Sequence, residues 1–198
     1  MKTTTIASKE ELNLKIKKSS RIATVLARIT AIVGIIGSIF ALFLMVMVIV
    51  DDSAFTTLLP TGMTVDTMDG YLIQTPGDYI AGFTNGIAQF LIYSACAFLA
   101  AGIFKRISED GLPFKEENTK SLKIIGILII AASIVPSILA QIAGVLAGPI
   151  TTVMVTFNLD TAMIGALFFM IATIFSYGAK LQQENDDMVE GGKLWLLL

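Results

Sequence analysis

The sequence has no histidine and only one cysteine, Cys96, among its 198 residues. An intrachain disulfide needs two cysteines, and protein zinc sites are built mainly from cysteine and histidine. The chain also offers no acid–base pair and no nucleophile–base pair that its apolar segments would bring to one depth. We therefore expect a protein that is not an enzyme and that holds no metal and no cofactor.

Charged residues are scarce as well. They make up 15% of the chain, whereas hydrophobic residues make up 55%; a soluble domain has about 25% charged residues. The charges are gathered into short blocks between long apolar runs, which is typical of an integral membrane protein whose first partner is the lipid bilayer. The basic residues form no broad patch of the kind that binds nucleic acid, so we expect no direct nucleic-acid binding.

Four apolar runs predict an all-α membrane protein, a four-transmembrane-helix bundle. A helix rises about 1.5 Å per residue and must cross about 30 Å of hydrocarbon, so about 20 residues suffice. The first run is too long for the apolar part of a signal peptide and is expected to be a retained anchor. The predicted spans are about 29–50, 80–104, 122–146 and 159–177.

The regions outside the spans complete the predicted organisation. A basic arm, 1–21, precedes the membrane domain, 22–189, and either lies on anionic lipid or carries ordinary cytoplasmic charge. An outer loop, 51–79, and an inner loop, 105–121, connect the spans. The tail, 190–198, is either native or a remnant of protein expression.

The basic residues predict the orientation. All 14 Lys and Arg fall before or at the start of the first span, around the inner loop, or after the fourth span, and none falls in 51–79 or 147–158. Cytoplasmic loops retain Lys and Arg, so this partition predicts that both termini are cytoplasmic.

Small and polar residues share one face of each predicted span. Helices in a bilayer associate where small residues let backbones approach and where polar side chains bond across. We expect these faces to turn inward, giving a monomer or a small homo-oligomer, and we expect a kink at Pro136. The residues are Thr30, Gly34, Gly37, Ser38 and Ala41; Gly82, Asn85, Gly86, Gln89, Tyr93, Cys96 and Ala100; Ser133, Ser137, Ala140, Gln141, Gly144 and Gly148; and Thr161, Gly165, Ala172 and Ser176.

Polar side chains in the outer half form a candidate cluster. They either line a vestibule for a cation, a peptide or a lipid headgroup, or simply bond between helices. Asp160 is the one carboxylate close to a span, and its place in the first turn favours a helix cap over a functional acid. The cluster comprises Asn85, Gln89, Tyr93, Gln141, Asn158 and Asp160.

The outer loop is acidic and long. Residues 63–75 resemble a hairpin with Asp69-Gly70 as its turn. The loop is a candidate site for a cationic peptide or a metal ion, although the exclusion of Lys and Arg from outer loops explains its charge equally well. Its candidate acids are Asp51, Asp52, Asp66, Asp69 and Asp78.

Two cytoplasmic segments are the most specific part of the sequence. The inner loop reads Gly111-Leu112-Pro113-Phe114 and then Asn118-Thr119-Lys120, and the fourth span leaves as Tyr177-Gly178-Ala179-Lys180-Leu181-Gln182-Gln183-Glu184-Asn185-Asp186-Asp187. This pairing resembles the bacterial membrane family catalogued as domain of unknown function 2975, over about residues 25–189. The resemblance implies a four-helix protein of a bacterial plasma membrane without assigned chemistry, often encoded beside a small helix-turn-helix regulator.

The two segments are expected to meet on the inner face. Phe114 is predicted to anchor at the interface, Asn118 to cap the third span, and Lys105 or Arg106 to pair with Glu184 or Asp186. As a candidate partner site we take Pro113, Phe114, Asn118, Leu181, Gln182, Glu184 and Asp186.

Three functions remain open from the sequence. The leading hypothesis is a binding or signalling module whose inner face contacts a cytoplasmic protein, such as a transcriptional regulator. The second is an immunity or resistance protein whose acidic outer loop intercepts a cationic peptide. The third is a small transporter or channel that uses the outer amides.

Overall fold

The computed structural model describes residues 2–50, 75–150 and 155–195, and within these ranges every regular element is a helix. We label the helices α1 (Lys2–Val50), α2 (Pro76–Asp110), α3 (Glu116–Ala132), α4 (Val135–Ala147) and α5 (Leu159–Trp195). The predicted all-α class is confirmed. The proposed hairpin, and the acids Asp51, Asp52, Asp66 and Asp69, lie outside the described residues.

Three of the helices contain stretches long and apolar enough to cross a membrane: Leu14–Val50, Pro76–Asp110 and Leu159–Asn185. α3 and α4 pass the same test as a pair bent by 41°, which makes four crossings if the pair counts as one. The basic arm is continuous with the first span, because α1 runs without a break from Lys2 to Val50.

The break between α3 and α4 has a local cause. Pro136, the second residue of α4, has no N–H to donate to the carbonyl of Ala132. The helix tightens just before it: the N–H groups of Ser133 and Ile134 bond three residues back, at 3.1 and 3.2 Å. The predicted kink at Pro136 is confirmed, and it takes the form of an interruption of the helix.

The residues fall into two compact units. The first unit comprises Met1–Ile29, Ala97–Ile127 and Ile164–Leu198, and the second comprises Thr30–Cys96 and Leu128–Met163. Spatial contact defines these units without reference to charge, yet all 14 Lys and Arg of the sequence fall in the first unit.

Glycine allows close helix contact in the first unit. A Cβ on Gly126 of α3 would lie 2.9 Å from the Phe169 ring and 3.1 Å from the carbonyl oxygen of Gly165 on α5. Gly165 was predicted to face inward. Gly126 was not, because it lies in an otherwise apolar run with no polar neighbour to mark its face.

The second unit has its own close contacts. A Cβ on Gly144 of α4 would lie 2.9 Å from both the Ala81 side chain and the Gly77 carbonyl oxygen, and a Cβ on Gly34 of α1 would collide with Ser94. Gly86 differs from these, because a Cβ there would meet nothing within 4 Å. Gly86 therefore makes no close helix contact among the described residues.

Candidate functional site

Arg106, near the end of α2, organises the inner loop of the first unit. Its Nε donates to Asn118 Oδ1 at 2.8 Å and its Nη2 donates to Ser121 Oγ at 2.8 Å, while Glu117 lies 3.8 Å away. A planar guanidinium presents several donors in a fixed geometry, so one side chain can hold several acceptors at once. The end of α2 is thereby tied to the first turns of α3.

Asn118 is fully buried and bonds in two directions. It accepts from Arg106, and its Nδ2 donates to the carbonyl oxygen of Pro113 at 3.0 Å. The prediction that Asn118 caps the third span is wrong, because α3 begins two residues earlier at Glu116. Asn118 instead fixes the loop that precedes the helix.

Phe114 joins the inner loop to α5. Its ring centroid lies 5.0 Å from that of Phe175, with the rings tilted by 58°. A Cβ on Gly178 would lie only 2.8 Å from the Phe114 ring, so the absence of a side chain at 178 leaves the space that the ring occupies. The expected meeting of the two motif-bearing segments is observed.

The predicted pairing of Lys105 or Arg106 with Glu184 is wrong, and the alternative pairing with Asp186 stays a prediction. Lys105 lies 3.7 Å from Glu109, and Glu184 lies 3.8 Å from Lys180. Each of these pairs joins residues four apart on one helix, a short-range geometry that needs no loop contact. The side chain of Asp186 lies outside the described residues.

Apolar side chains are exposed around the Phe114–Gly178 contact. They are Leu112 in the loop, Tyr177 beside the glycine, and Leu181 one turn further along α5. Phe114 itself is partly exposed, and Gln182 is half-buried. We call Leu112, Phe114, Tyr177 and Leu181 the loop–exit surface.

The N-terminal part of α1 also reaches the inner loop. Gly111 follows α2 with φ of +73°, in the left-handed region that favours glycine, and its N–H bonds to Ile107 at 2.9 Å. The Lys17 side chain lies over it, with its Cε 3.3 Å from where a Cβ would be. A lysine there also complements the negative end of the α2 dipole.

The second unit contains a small polar cavity of about 140 Å³ at the break between α3 and α4. Amide and hydroxyl side chains supply most of the lining, and no lining residue is charged. The lining residues are Asn85, Gln89, Ala132, Ser133, Pro136, Ser137, Thr156, Phe157 and Asn158.

Hydrogen bonds hold this cavity together. The Asn158 N–H donates to the Ser133 carbonyl oxygen at 2.9 Å, and the Thr156 N–H donates to Ser137 Oγ at 2.8 Å. On α2, the other side of the lining, Gln89 Nε2 donates to Asn85 Oδ1 one turn earlier on the same helix at 3.3 Å. The loop before α5 is therefore attached at the break between α3 and α4.

The structure brings together half of the predicted outer cluster. Asn85, Gln89 and Asn158 line the cavity, whereas Tyr93, Gln141 and Asp160 do not. Ser133 and Ser137 were predicted only to face inward, and their position in the cavity lining agrees with that prediction. Nothing in the sequence marked Thr156.

Two acidic residues at helix starts differ in whether they cap the helix. The prediction that Asp160 caps the fourth span is wrong: Asn158 Oδ1 accepts the Thr161 N–H at 2.9 Å, and Asp160 lies exposed in the first turn. Asp78, a candidate outer-loop acid, forms a reciprocal cap with Thr75, accepting the Thr75 N–H at 3.0 Å.

A group of three or more His, Cys, Asp and Glu side chains suited to a metal ion is not found in ranges 2–50, 75–150 and 155–195. The predicted absence of a metal and a cofactor stays a prediction.

Long apolar helices with buried polar contacts define this chain as a helical protein with membrane-span-like segments. Residues 74–189, more than half of the chain, match the family model described as Protein of unknown function (DUF2975), and the chain belongs to that family. The match includes both motif-bearing segments and begins later than the expected residue 25. No curated protein and no solved structure matches the chain significantly.

Proposed function

We propose that the chain is a four-span protein of a bacterial plasma membrane whose loop–exit surface binds a cytoplasmic protein. The membrane placement is supported because two independent divisions of the chain agree, one by spatial contact and one by the positions of the basic residues. The first unit, defined by spatial contact, contains all 14 basic residues, and basic residues are retained on the cytoplasmic side. In this placement the first unit and both termini lie towards the cytoplasm.

The observation that carries the binding function is the exposure of apolar side chains around a rigid contact. The Phe114 ring packs against Phe175 and fills the space left by the missing side chain of Gly178, which we call the Gly178 notch. These contacts fix the exposed edge of the ring in position. Leu112, two residues before Phe114, and Leu181, three residues after Gly178, are also exposed. Preorganised apolar side chains bind well, because little side-chain freedom is lost on association.

The charges beside this surface are largely balanced. Lys115 lies 2.6 Å from Asp110, and Lys180 lies 3.8 Å from Glu184. A surface with paired charges and exposed apolar groups suits a protein partner better than a nucleic acid. The partner we propose is a transcriptional regulator, which the membrane protein would hold at the inner face.

The test is co-purification with cytoplasmic proteins, scored for a bound helix-turn-helix regulator of the kind that the family resemblance implies. We expect a Leu112→Asp, Leu181→Asp double variant to retain at least tenfold less regulator than the unaltered protein. The matched control is Glu116→Ala with Lys120→Ala, which removes an exposed ion pair from α3. Equal retention of the regulator by the double variant, at equal membrane expression, would refute the proposal.

The membrane placement has its own test. In a Cys96→Ser background, Gln183→Cys should react with a membrane-impermeant thiol reagent only after cells are opened. Labelling of intact cells would show that the orientation is wrong. The immunity hypothesis concerns the outer loop, and most of that loop lies outside the described residues.

A further inference from the structure

The basic residues of the first unit differ in whether an acid neutralises them. On α2, the inner loop, α3 and α5, most of them lie 2.6–3.8 Å from a carboxylate: Lys105–Glu109, Arg106–Glu117, Lys115–Asp110, Lys120–Glu116 and Lys180–Glu184. Besides Lys123 of α3, the bases without an acid partner among the described side chains all belong to α1, and they are Lys17, Lys18, Arg21 and Arg28. Unpaired positive charge is therefore concentrated on one helix.

The sequence of α1 supplies no acid to balance this charge. Glu10 and Glu11 are the last acidic residues before Asp51, so the part of α1 from Leu12 to Val50 has five bases and no acid. The field around this part of the helix favours an anion. A zwitterionic ligand would bring a positive group of its own, and the helix offers no carboxylate to receive it.

Arg21 and Arg28 share one face of α1. They are seven residues apart, which at about 100° per residue is only about 20° short of two full turns and places them about 10.5 Å apart along the axis. Both side chains are exposed. Thr24, between them, is buried and donates its hydroxyl to the Ser20 carbonyl oxygen at 2.8 Å. Guanidinium groups bind phosphate through paired hydrogen bonds, so two arginines on one face suit a phosphate between them.

The surroundings of Arg28 are apolar. Val25, Leu26 and Ile29 are 52%, 60% and 52% exposed, and residues 29–50 carry no charge. In the proposed membrane placement, Arg28 therefore lies at the inner end of the first span, where lipid phosphates adjoin the hydrocarbon. Side chains leave a helix tilted towards its N-terminus, so Arg28 extends towards the cytoplasm and towards Arg21.

We propose that Arg21 and Arg28 form a site for the phosphate group of an anionic phospholipid in the inner leaflet, with the acyl chains beside the exposed apolar side chains of α1. A lipid supplies both an anion and a hydrocarbon chain, whereas an acidic protein segment or a dissolved phosphate matches the arginines alone. The inference rests on the membrane placement given above and is independent of the loop–exit surface.

The experiment measures lipid binding to the purified protein. Native mass spectrometry in an uncharged detergent counts the molecules of phosphatidylglycerol or phosphatidylcholine bound at each lipid concentration. We expect phosphatidylglycerol to bind about 20-fold more tightly, because each basic residue near an anionic surface contributes about a factor of five. Arg21→Gln with Arg28→Gln should remove most of this preference. Glycerol phosphate, which has the same anionic group without acyl chains, should not displace the lipid.

Two further variants distinguish a site from general positive charge. Lys120→Gln with Lys180→Gln also removes two exposed bases, but these are already paired with acids, so the lipid preference should stay unchanged. Arg28→Lys keeps the charge and loses the paired hydrogen bonds to phosphate, so phosphatidylglycerol should bind about threefold more weakly. This variant also tests the site if the double arginine variant does not fold.

Several results would overturn the lipid site. They are equal binding of the two lipids, an equal loss in the arginine and lysine double variants, and displacement by glycerol phosphate. If the arginine variant keeps its lipid and loses the regulator in co-purification, the arginines belong to protein binding instead. Labelling of Gln183→Cys in intact cells would refute the membrane placement, whereas a protected Gln183→Cys without lipid preference would refute the lipid site alone.

Discussion

The guanidinium of Arg106 and the buried amide of Asn118 are joined by a 2.8 Å hydrogen bond that ties the end of α2 to the start of α3. The Nδ2 of Asn118 also donates a hydrogen bond to the Pro113 carbonyl oxygen. The one amide group therefore fixes both α3 and the loop that precedes it. Phe114, the next residue, is thereby brought to the Gly178 notch.

Replacing Asn118 with leucine should destabilise the protein by about 1–3 kcal/mol. The change leaves the Pro113 carbonyl and an Arg106 donor without their partner, and an unsatisfied buried polar group carries a penalty of this size. The measurement is thermal or denaturant unfolding in detergent micelles. Glu116→Ala serves as the control, because its pair with Lys120 is exposed to solvent and such pairs contribute little to stability. Equal effects from the two variants would contradict the assigned role.

Gly126→Ala and Gly86→Ala should behave in opposite ways. At 126 the new methyl group would meet the Phe169 ring and the Gly165 backbone, and overpacking of this kind costs about 1–3 kcal/mol. At 86 it meets nothing within 4 Å, so the better helix propensity of alanine should leave stability unchanged or improve it by up to about 1 kcal/mol. Paired unfolding curves measure the difference, and a loss of stability at 86 matching that at 126 would show that Gly86 does pack closely.

Gly178→Leu should displace Phe114 from its notch. The ring lies 2.8 Å from where a Cβ would be, and a leucine side chain needs much of the same space. The loop at 111–115 should then open, making the peptide bond after Lys115 at least fivefold more sensitive to trypsin. Ala179→Leu, on the neighbouring position, is the control. An unchanged cleavage rate in Gly178→Leu would show that Phe114 does not hold the loop.

Asn158→Ala should lower stability more than Asp160→Asn does. The first change removes the side-chain cap of α5, which is worth about 1 kcal/mol. The second removes a charge from the first turn, where the helix dipole contributes about 0.3–1 kcal/mol. Unfolding at low and high salt separates the two, since only the charge effect should weaken with salt. A larger loss in Asp160→Asn would restore Asp160 as the cap.

Much of the helical organisation could be predicted from the sequence. Long apolar runs can only be helices in a bilayer, and Pro136 within such a run forces an interruption. The meeting of Phe114 with the exit of the fourth span was also predictable, since both segments flank spans on the basic side.

The details that depend on register between helices could not be predicted. The predicted pairing of Arg106 with Glu184 was wrong because α3 begins at Glu116. The first residue of a helix is difficult to locate from the sequence of a charged loop. The attachment of the loop before α5 depends on a hydrogen bond from the Asn158 N–H to the Ser133 carbonyl oxygen, and local sequence cannot connect these two residues.

The confinement of all 14 basic residues to the first unit also bears on how the chain is inserted. In the proposed orientation, the segments that must be translocated carry acids and no bases. An inside-negative membrane potential acts on each such charge with about 2.3 kcal/mol per 100 mV, and for carboxylates it acts outward. Biogenesis would therefore be assisted electrophoretically, and energised membranes should insert the chain faster than depolarised ones.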